Sequence, residues 1–379
     1  MINVSVFVEQ ALGLASFRPT FRVPKFVPLY GAASSVIIMF LINPLAGLGA
    51  ILFVFMTYTY LVHKQLKQNK GDIRSGLFRE FSEWSTRKVL SLPESTEHIW
   101  KPNILLPVVT TRTLFGNFPL IKAISHPHGT MTVLGFKLTE NVEDNPEKEE
   151  ITKRQIEKEL TQLPNLVDKF GDEGIFTNFS TVEVDDYVEG VVVSLEAIES
   201  QVYAPNILFL PFKPDKLSEK SLGKIISASK DNHVGNLIFD RDEELGLGSE
   251  EDIHVWISPK ALEGDFYEDR YFDLALLIAY GIERNWGGNM TLWMCVDEEQ
   301  KRKAKRYLKR LVYEARISSE TSINVVEGNF LRELAKAPDG DVHVIPFEES
   351  DLDIVLDISD EKNKSFLFIR DSGKENILS

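Results

Sequence analysis

The sequence predicts an α-helical transmembrane hairpin followed by an α/β body of two similar parallel-sheet subdomains with helices on both faces. Three observations carry this. From Phe26 to Val62 the 379-residue chain holds 37 consecutive residues without a charged side chain. Charge divides near the same place: residues 1–70 hold six Lys or Arg and one Glu, net +5, and the remainder holds 36 basic and 56 acidic residues, net −20. Beyond Trp100, short apolar runs alternate with helical periodicity, and the alternation occurs twice.

The first segment, residues 1–25, reads as the cytoplasmic end of a truncated transmembrane helix and a loop. Met1–Ser16 is mostly apolar, but it carries Glu9 and lacks the basic start of a signal peptide. Residues 26–64 form the hairpin. One span needs about 20 apolar residues, so the uncharged run suits two short helices, Phe26–Ile42 and Leu45–Val62, broken at Asn43-Pro44. Gly31, Ala32, Ala33, Ser34 and Ser35 permit close helix contact, and Tyr58 and Tyr60 suit an interface. Arg18, Arg22 and Lys25 precede the hairpin and Lys64, Lys67 and Lys70 follow it, which orients both ends to the cytoplasm. Residues 65–99 read as an amphipathic connector, with Ile73, Leu77, Phe81 and Trp84 at helical spacing.

Residues 100–215 are assigned to a first subdomain. Strands are expected near Ile104–Val109, Met131–Phe136, Phe176–Val184 and Ile207–Phe212, with helices near Gly116–Ser125, Glu149–Phe170 and Tyr187–Ser200. Residues 216–379 form the second. Its strands are expected near Asn236–Asp240, Ile253–Ile257, Thr291–Val296, Ile323–Val326, Val342–Pro346 and Ser365–Ile369. Its helices fall near Arg270–Arg284, Glu298–Ala315 and Asn329–Ala337. A polar stretch, Lys213–Asn232, is expected to join the halves, and the acidic 141–150 segment reads as a surface insertion.

Composition restricts function. A body at −20 repels nucleic acid, which is excluded as a partner. The lone Cys295 cannot form an internal disulfide and reads as an apolar strand filler in a reducing compartment. His126-Pro-His128 has no third ligand at metal spacing and reads as a turn. Gly246-Leu-Gly248 is too short and too acidic in its surroundings for a phosphate loop. On the helix at Glu298–Ala315, Lys301, Arg302, Lys303, Lys305, Arg306, Lys309 and Arg310 cover the face opposite an apolar stripe and read as a solvated face, with contact to anionic lipid or an acidic patch as the alternative. No catalytic, cofactor-binding or metal-binding residue stands out, so the chain is expected not to be an enzyme.

Specific residues carry a resemblance. Arg18-Pro-Thr-Phe21 followed by the hairpin resembles the stretch before the last two transmembrane helices of the cation–chloride cotransporters. Trp100-Lys-Pro-Asn-Ile-Leu-Leu106 is similar to the strand that opens that family's cytosolic domain, with Lys101 for the usual arginine. Gly174-Ile-Phe-Thr-Asn-Phe-Ser180 and Ala204-Pro-Asn-Ile-Leu-Phe-Leu-Pro211 look like a later strand–helix–strand unit. The acidic insertion and the lack of a kinase-target segment suggest a prokaryotic-type member.

The resemblance implies electroneutral symport of chloride with sodium and/or potassium, with ion sites in earlier helices outside this chain. It implies a regulatory cytosolic domain that resembles universal stress proteins in fold. The implied partners are membrane lipid, a second copy through the cytosolic domain, and the rest of the transporter's transmembrane core. The implied location is the cell membrane, with residues 65–379 in the cytoplasm. The amino acid–polyamine permeases, which share the membrane fold, are one alternative. A membrane-tethered nucleotide sensor is another, although Asp371-Ser-Gly373 is a poor substitute for its phosphate loop.

Overall fold

In the computed structural model the chain divides into two compact units, one around residues 21–98 and one around 99–379. The structure describes residues 100–139, 161–198, 204–212, 218–242, 246–267, 270–359 and 364–378, together with 24, 26–45, 49, 52, 56, 82, 85–88 and 158. The readings of Met1–Ser16, of most of Leu45–Val62 and of the connector, and of the acidic 141–150 segment lie outside them.

In the first unit, helix α1 spans Phe26–Ile42, the bounds expected for that helix, without a charged residue. Its side chains at Tyr30, Leu41 and Ile42 are exposed, and Leu45, Gly49, Leu52 and Met56 are helical as well. No helix among the described residues is long and apolar enough to cross a membrane. With 17 residues, α1 rises about 26 Å, against roughly 30 Å of hydrocarbon.

The second unit is doubly wound. Its first half runs β1 (Asn103–Val108), α2 (Thr111–Ser125), β2 (Thr130–Leu138), α3 (161–172), β3 (Phe176–Val184), α4 (Tyr187–Ile198), β4 (Ile207–Pro211), α5 (Glu219–Asp231) and β5 (Gly235–Asp240). Its second half runs β6 (Asp252–Trp256), α6 (Asp273–Trp286), β7 (Asn289–Cys295), α7 (Lys301–Glu314), β8 (Ser322–Val326), α8 (Phe330–Lys336), β9 (Val342–Pro346), α9 (Leu352–Ser359) and β10 (Phe366–Arg370). All ten expected strands are present. The inner strands bury residues on both faces: Ile104, Leu106 and Val108 lie on the side covered by α2, α3, α6 and α7, whereas Leu105 and Leu208 lie on the side covered by α4, α5, α8 and α9.

The strand order is β3-β2-β1-β4-β5-β10-β9-β6-β7-β8. Each half therefore has the same order, read inward from opposite edges. The halves meet where β10 pairs antiparallel with β5, Phe368 opposite Ile238, and every other pairing is parallel. The expectation of a separate sheet in each half is corrected by this seam. Pairing two sheet edges satisfies backbone groups that two separate sheets would leave open.

The expected boundary between 215 and 216 is also corrected. β5 pairs with β4, so the first half runs through Asp240. The polar stretch expected as a joiner holds α5, capped by Ser218 and burying Leu222, Ile225, Ile226 and Ser229 at helical spacing. Helix α9 was likewise absent from the sequence expectation.

Small residues at matching places hold the repeat. The Gly129 backbone precedes β2 as Gly288 precedes β7. A Cβ on Gly129 would lie 2.6 Å from Ser125 O and 3.0 Å from Pro102 O, and one on Gly288 would lie 2.0 Å from Glu251 O. The neighbouring hydrogen bonds match as well: Thr130 N donates to Pro102 O at 3.0 Å and Asn289 N to Glu251 O at 2.6 Å.

Candidate functional site

Open α/β sheets bind ligands at the carboxyl ends of strands where the strand order reverses. In the second half that reversal lies between β6 and β9. A cavity of about 530 Å³ opens beside it, at the ends of β9 and β10.

The floor is Arg370 at the end of β10. Its Nε donates to Asn236 Oδ1 at 2.7 Å and its Nη2 to Val234 O at 2.5 Å, so it stitches β10 to β5. Asn236 in turn donates to Ser229 Oγ of α5 at 2.8 Å. One wall is the start of α6. There Arg270 grips Asp273 through two parallel bonds, Nε to Oδ1 at 2.8 Å and Nη2 to Oδ2 at 2.9 Å, with both side chains buried. Arg270 also donates to Phe266 O and Asn376 Oδ1, each at 2.8 Å. Burial pushes the Asp273 carboxyl above the usual carboxylate range, and the guanidinium opposes it.

The segment after β10 closes the far side. Asp371 accepts from Leu274 N of α6 at 2.9 Å and from Gly373 N at 2.7 Å, and Gly373 takes the left-handed φ of +83° that this turn requires. Ser372 Oγ donates to Glu375 at 2.8 Å. Burial pushes the Asp371 carboxyl up, and the neighbouring Glu375 carboxyl adds to the rise. At the rim, Lys230 pairs with Glu349 at 3.0 Å, and Tyr267, Tyr271 and Phe347 supply aromatic surface.

The lining residues offer hydrogen bonds and both signs of charge. Both guanidiniums already bond protein acceptors. Chemically the cleft is suited to holding a polar ligand.

A second polar group lies within the sheet of the second half. His254 (β6) and His343 (β9) stand edge to face at 4.9 Å, Trp256 stacks on Trp293 at 5.0 Å, and Trp256 Nε1 donates to His343 Nδ1 at 3.2 Å. Desolvation lowers the pKa of His254, and lowers that of His343 to about 3.

The residues singled out in sequence take structural places. His126 follows α2 at the turn, and its carbonyl accepts from Asn285 Nδ2 at 2.8 Å. Gly246 and Gly248 adopt left-handed φ, and the loop's amides are already filled by a carboxylate of this chain: Ser249 N, Glu251 N and Asp252 N donate to Asp341 at 3.0, 2.6 and 2.9 Å. Buried Cys295 donates through Sγ to Gly328 O at 3.0 Å, and desolvation raises its pKa. On α7, Ala304, Leu308 and Leu311 are buried, as the stripe predicts. The cleft itself escaped sequence reasoning. Its one signal was Asp371-Ser-Gly373, an Asp-x-Gly turn just after an apolar strand, which folds the following residues over α6 instead of cradling a phosphate.

Two family models cover the body without a gap. One, described as the first part of the prokaryotic cation-chloride cotransporter C-terminal domain, matches residues 106–247, and its second-part counterpart matches residues 248–378. The chain belongs to the prokaryotic cation–chloride cotransporter family. The junction of the two models falls between β5 and β6, where the strand pairing divides the halves.

One solved structure agrees with the family match. A crystal structure of the cytoplasmic domain of a prokaryotic cation chloride cotransporter superposes with TM-score 0.61 at 28% identity, covering 74% of this chain and 99% of that one. A universal stress protein from Archaeoglobus fulgidus aligns at 14% identity and TM-score 0.45 over 70% of this chain and 95% of that one. Human solute carrier family 12 member 3 is 27% identical over 219 residues, 56% of this chain. The match spans about a fifth (20%) of the length of that relative. The body is thus the C-terminal cytoplasmic domain of a cation–chloride cotransporter, and its cleft is built mainly from the second of the two matched parts.

Proposed function

We propose that this chain is the C-terminal part of a secondary transporter for electroneutral symport of chloride with sodium and/or potassium. Its body is the regulatory, dimerising cytosolic domain, and it contributes no ion site and no enzymatic step. The observation that carries this reading is the unbroken pair of cotransporter family matches over 106–378.

In this reading residues 26–64 form the closing transmembrane hairpin. The uncharged run from Phe26 to Val62 and the exposed apolar side chains of α1 support it, because such surface is stable in lipid and costly in water. Flanking cations put both ends, and residues 65–379, on the cytoplasmic side. The partners are membrane lipid, the transporter's transmembrane core and a second copy of the cytosolic domain.

The test has two parts. Single cysteines at Lys70 and Asn43, in a Cys295→Ser background, are treated with an impermeant thiol reagent in intact cells. Labelling at 43 and protection at 70 are expected, and the reverse pattern overturns the topology. Reconstituted alone, the chain is expected to show no chloride-dependent rubidium or sodium uptake. Uptake above that of empty liposomes overturns the assignment of the ion sites to helices outside it.

A further inference from the structure

The outer face of α7 stands apart from the acidic body that carries it. The helix holds seven Lys or Arg and one Glu, on a body whose sequence after residue 70 sums to −20. The structure sorts these cations into two sets. Lys301 pairs with Glu298 and Glu327, Lys303 donates to Leu262 O at 2.7 Å, and Arg310 donates to Tyr267 Oη at 3.0 Å while lying over Phe266 at 4.1 Å. Those three sit on the flanks of the helix and are tied to the protein. Arg302, Lys305, Arg306 and Lys309 are exposed and have no carboxylate within 4.0 Å among the described residues, and Arg306 Nε donates to Arg302 O within the helix at 3.4 Å. At 100° per residue those four and Tyr313 fall within an arc of about 100°, facing directly outward. Tyr313 is 80% exposed at the end of the row.

The fold does not require this face. Helix α3 occupies the equivalent place in the first half, between β2 and β3 as α7 lies between β7 and β8. From Thr161 on, its exposed described positions are Thr161, Gln162, Pro164, Asn165, Asp168, Lys169, Gly171 and Asp172, with two acids and one base. Among the described residues, the duplicated architecture therefore carries the cationic row on one helix of the two. Solvation alone asks for charge of either sign. A row of one sign, with the acids excluded from its centre, complements an anionic surface. An aromatic hydroxyl at the end of a basic helix face is also the composition of a membrane–water interface.

We propose that the outer face of α7 docks on the anionic headgroups of the membrane leaflet. The proposal rests on the membrane-anchored reading above, which holds the body near lipid at high effective concentration, so that a contact weak in free solution is populated. Each cation near an anionic leaflet contributes on the order of fivefold in binding.

The experiment uses the full chain, Tyr313→Cys in a Cys295→Ser background, labelled with a fluorophore at 313. The labelled protein is combined with vesicles of POPC alone or of POPC and POPG at 7:3, each doped with a headgroup nitroxide lipid. Association with POPC vesicles reports the anchor by itself. Quenching at 313 reports the helix, and it is expected in POPG-containing vesicles, weak in POPC and reversed by 0.5 M NaCl, with or without the anchor. Arg302→Gln, Lys305→Gln and Lys309→Gln together are expected to bring quenching down to the POPC level, with an unchanged thermal midpoint as the check on folding. Absence of quenching in POPG-containing vesicles overturns the proposal. So does equal quenching in both compositions. A label immobilised in detergent without lipid, and released by neutralising Glu143, Asp144, Glu147, Glu149 and Glu150, would assign the face to an acidic segment of the protein and overturn it as well.

Discussion

The indole N–H of Trp256 donates to Nδ1 of His343 at 3.2 Å, inside a sheet where His343 has no exposed surface. Accepting through Nδ1 places the ring proton on Nε2, so this geometry requires neutral imidazole. Around it stand His254, Lys364 and the rings of Trp256 and Phe366, with Asp252 and Asp341 nearer His254. Burial and these neighbouring bases lower the His343 pKa to about 3.

The sign of the pH effect follows. Above about pH 6.5 both folded and unfolded chains hold a neutral ring, and the stability it contributes is full. As pH falls, the unfolded chain binds a proton that the folded one refuses, and stability drops until the folded group titrates near 3. Between pH 7 and 4.5 the expected loss from this group is roughly 3 kcal/mol. His343→Gln retains an acceptor for Trp256 and removes the titration. Urea midpoints across this range are expected to fall less in the variant, and parallel curves would refute the account.

Arg370 is expected to be the most costly single truncation at the seam. Arg370→Ala leaves Asn236 Oδ1 and Val234 O buried without their donor, a loss of about 3 kcal/mol. Arg370→Lys keeps the charge but not the fork, and falls between the two. Chemical denaturation of the three proteins orders them.

The Arg270–Asp273 pair is expected to be asymmetric to mutation. Arg270→Leu strands a buried carboxylate and costs about 3–5 kcal/mol, whereas Arg270→Leu with Asp273→Leu costs less than that single change. A double-mutant cycle on thermal midpoints reads this directly, and a double mutant weaker than Arg270→Leu would contradict it.

Gly288→Ala and Gly129→Ala are expected to destabilise by more than about 2 kcal/mol each, because the new methyl meets backbone that cannot swing aside. Gly281→Ala, where nothing lies within 4 Å, is the control and is expected to be neutral or slightly stabilising within α6. Equal effects at 281 and 288 would show that the close approach is not the cause.

What sequence reasoning could reach depended on the range of the interaction. Strands such as Ile207–Leu210 and Phe366–Ile369 are continuous apolar runs, and a run of that kind announces a doubly covered strand without reference to any partner. Helix α7 announced itself through the contrast of Ala304, Leu308 and Leu311 with their cationic neighbours. Helix α5 did not, because Glu219, Lys220, Lys224 and Lys230 outweigh its few buried positions in any average over the stretch. The cleft was illegible for another reason. Arg270 meets Asn376 and Asn236 meets Arg370, each across more than a hundred positions, and the choice of β5 as partner for β10 is not written in the alternation of either.

The antiparallel seam has a consequence for biosynthesis. β10 is the final strand of the body to be made, yet it sits at the centre of the sheet, between β5 and β9. Between Asp240 and Phe366 the ribosome must add more than a hundred residues, which at 5–20 residues per second takes on the order of ten seconds. For that interval the inner edge of β5 has no partner and presents Leu237, Ile238 and Phe239 to the crowded cytoplasm. A nascent chain stalled or cut before Phe366 would keep that edge, and the matching edge of β9, open for good. Ribosome-associated chaperones are therefore expected to hold this protein longest after its first half is already built.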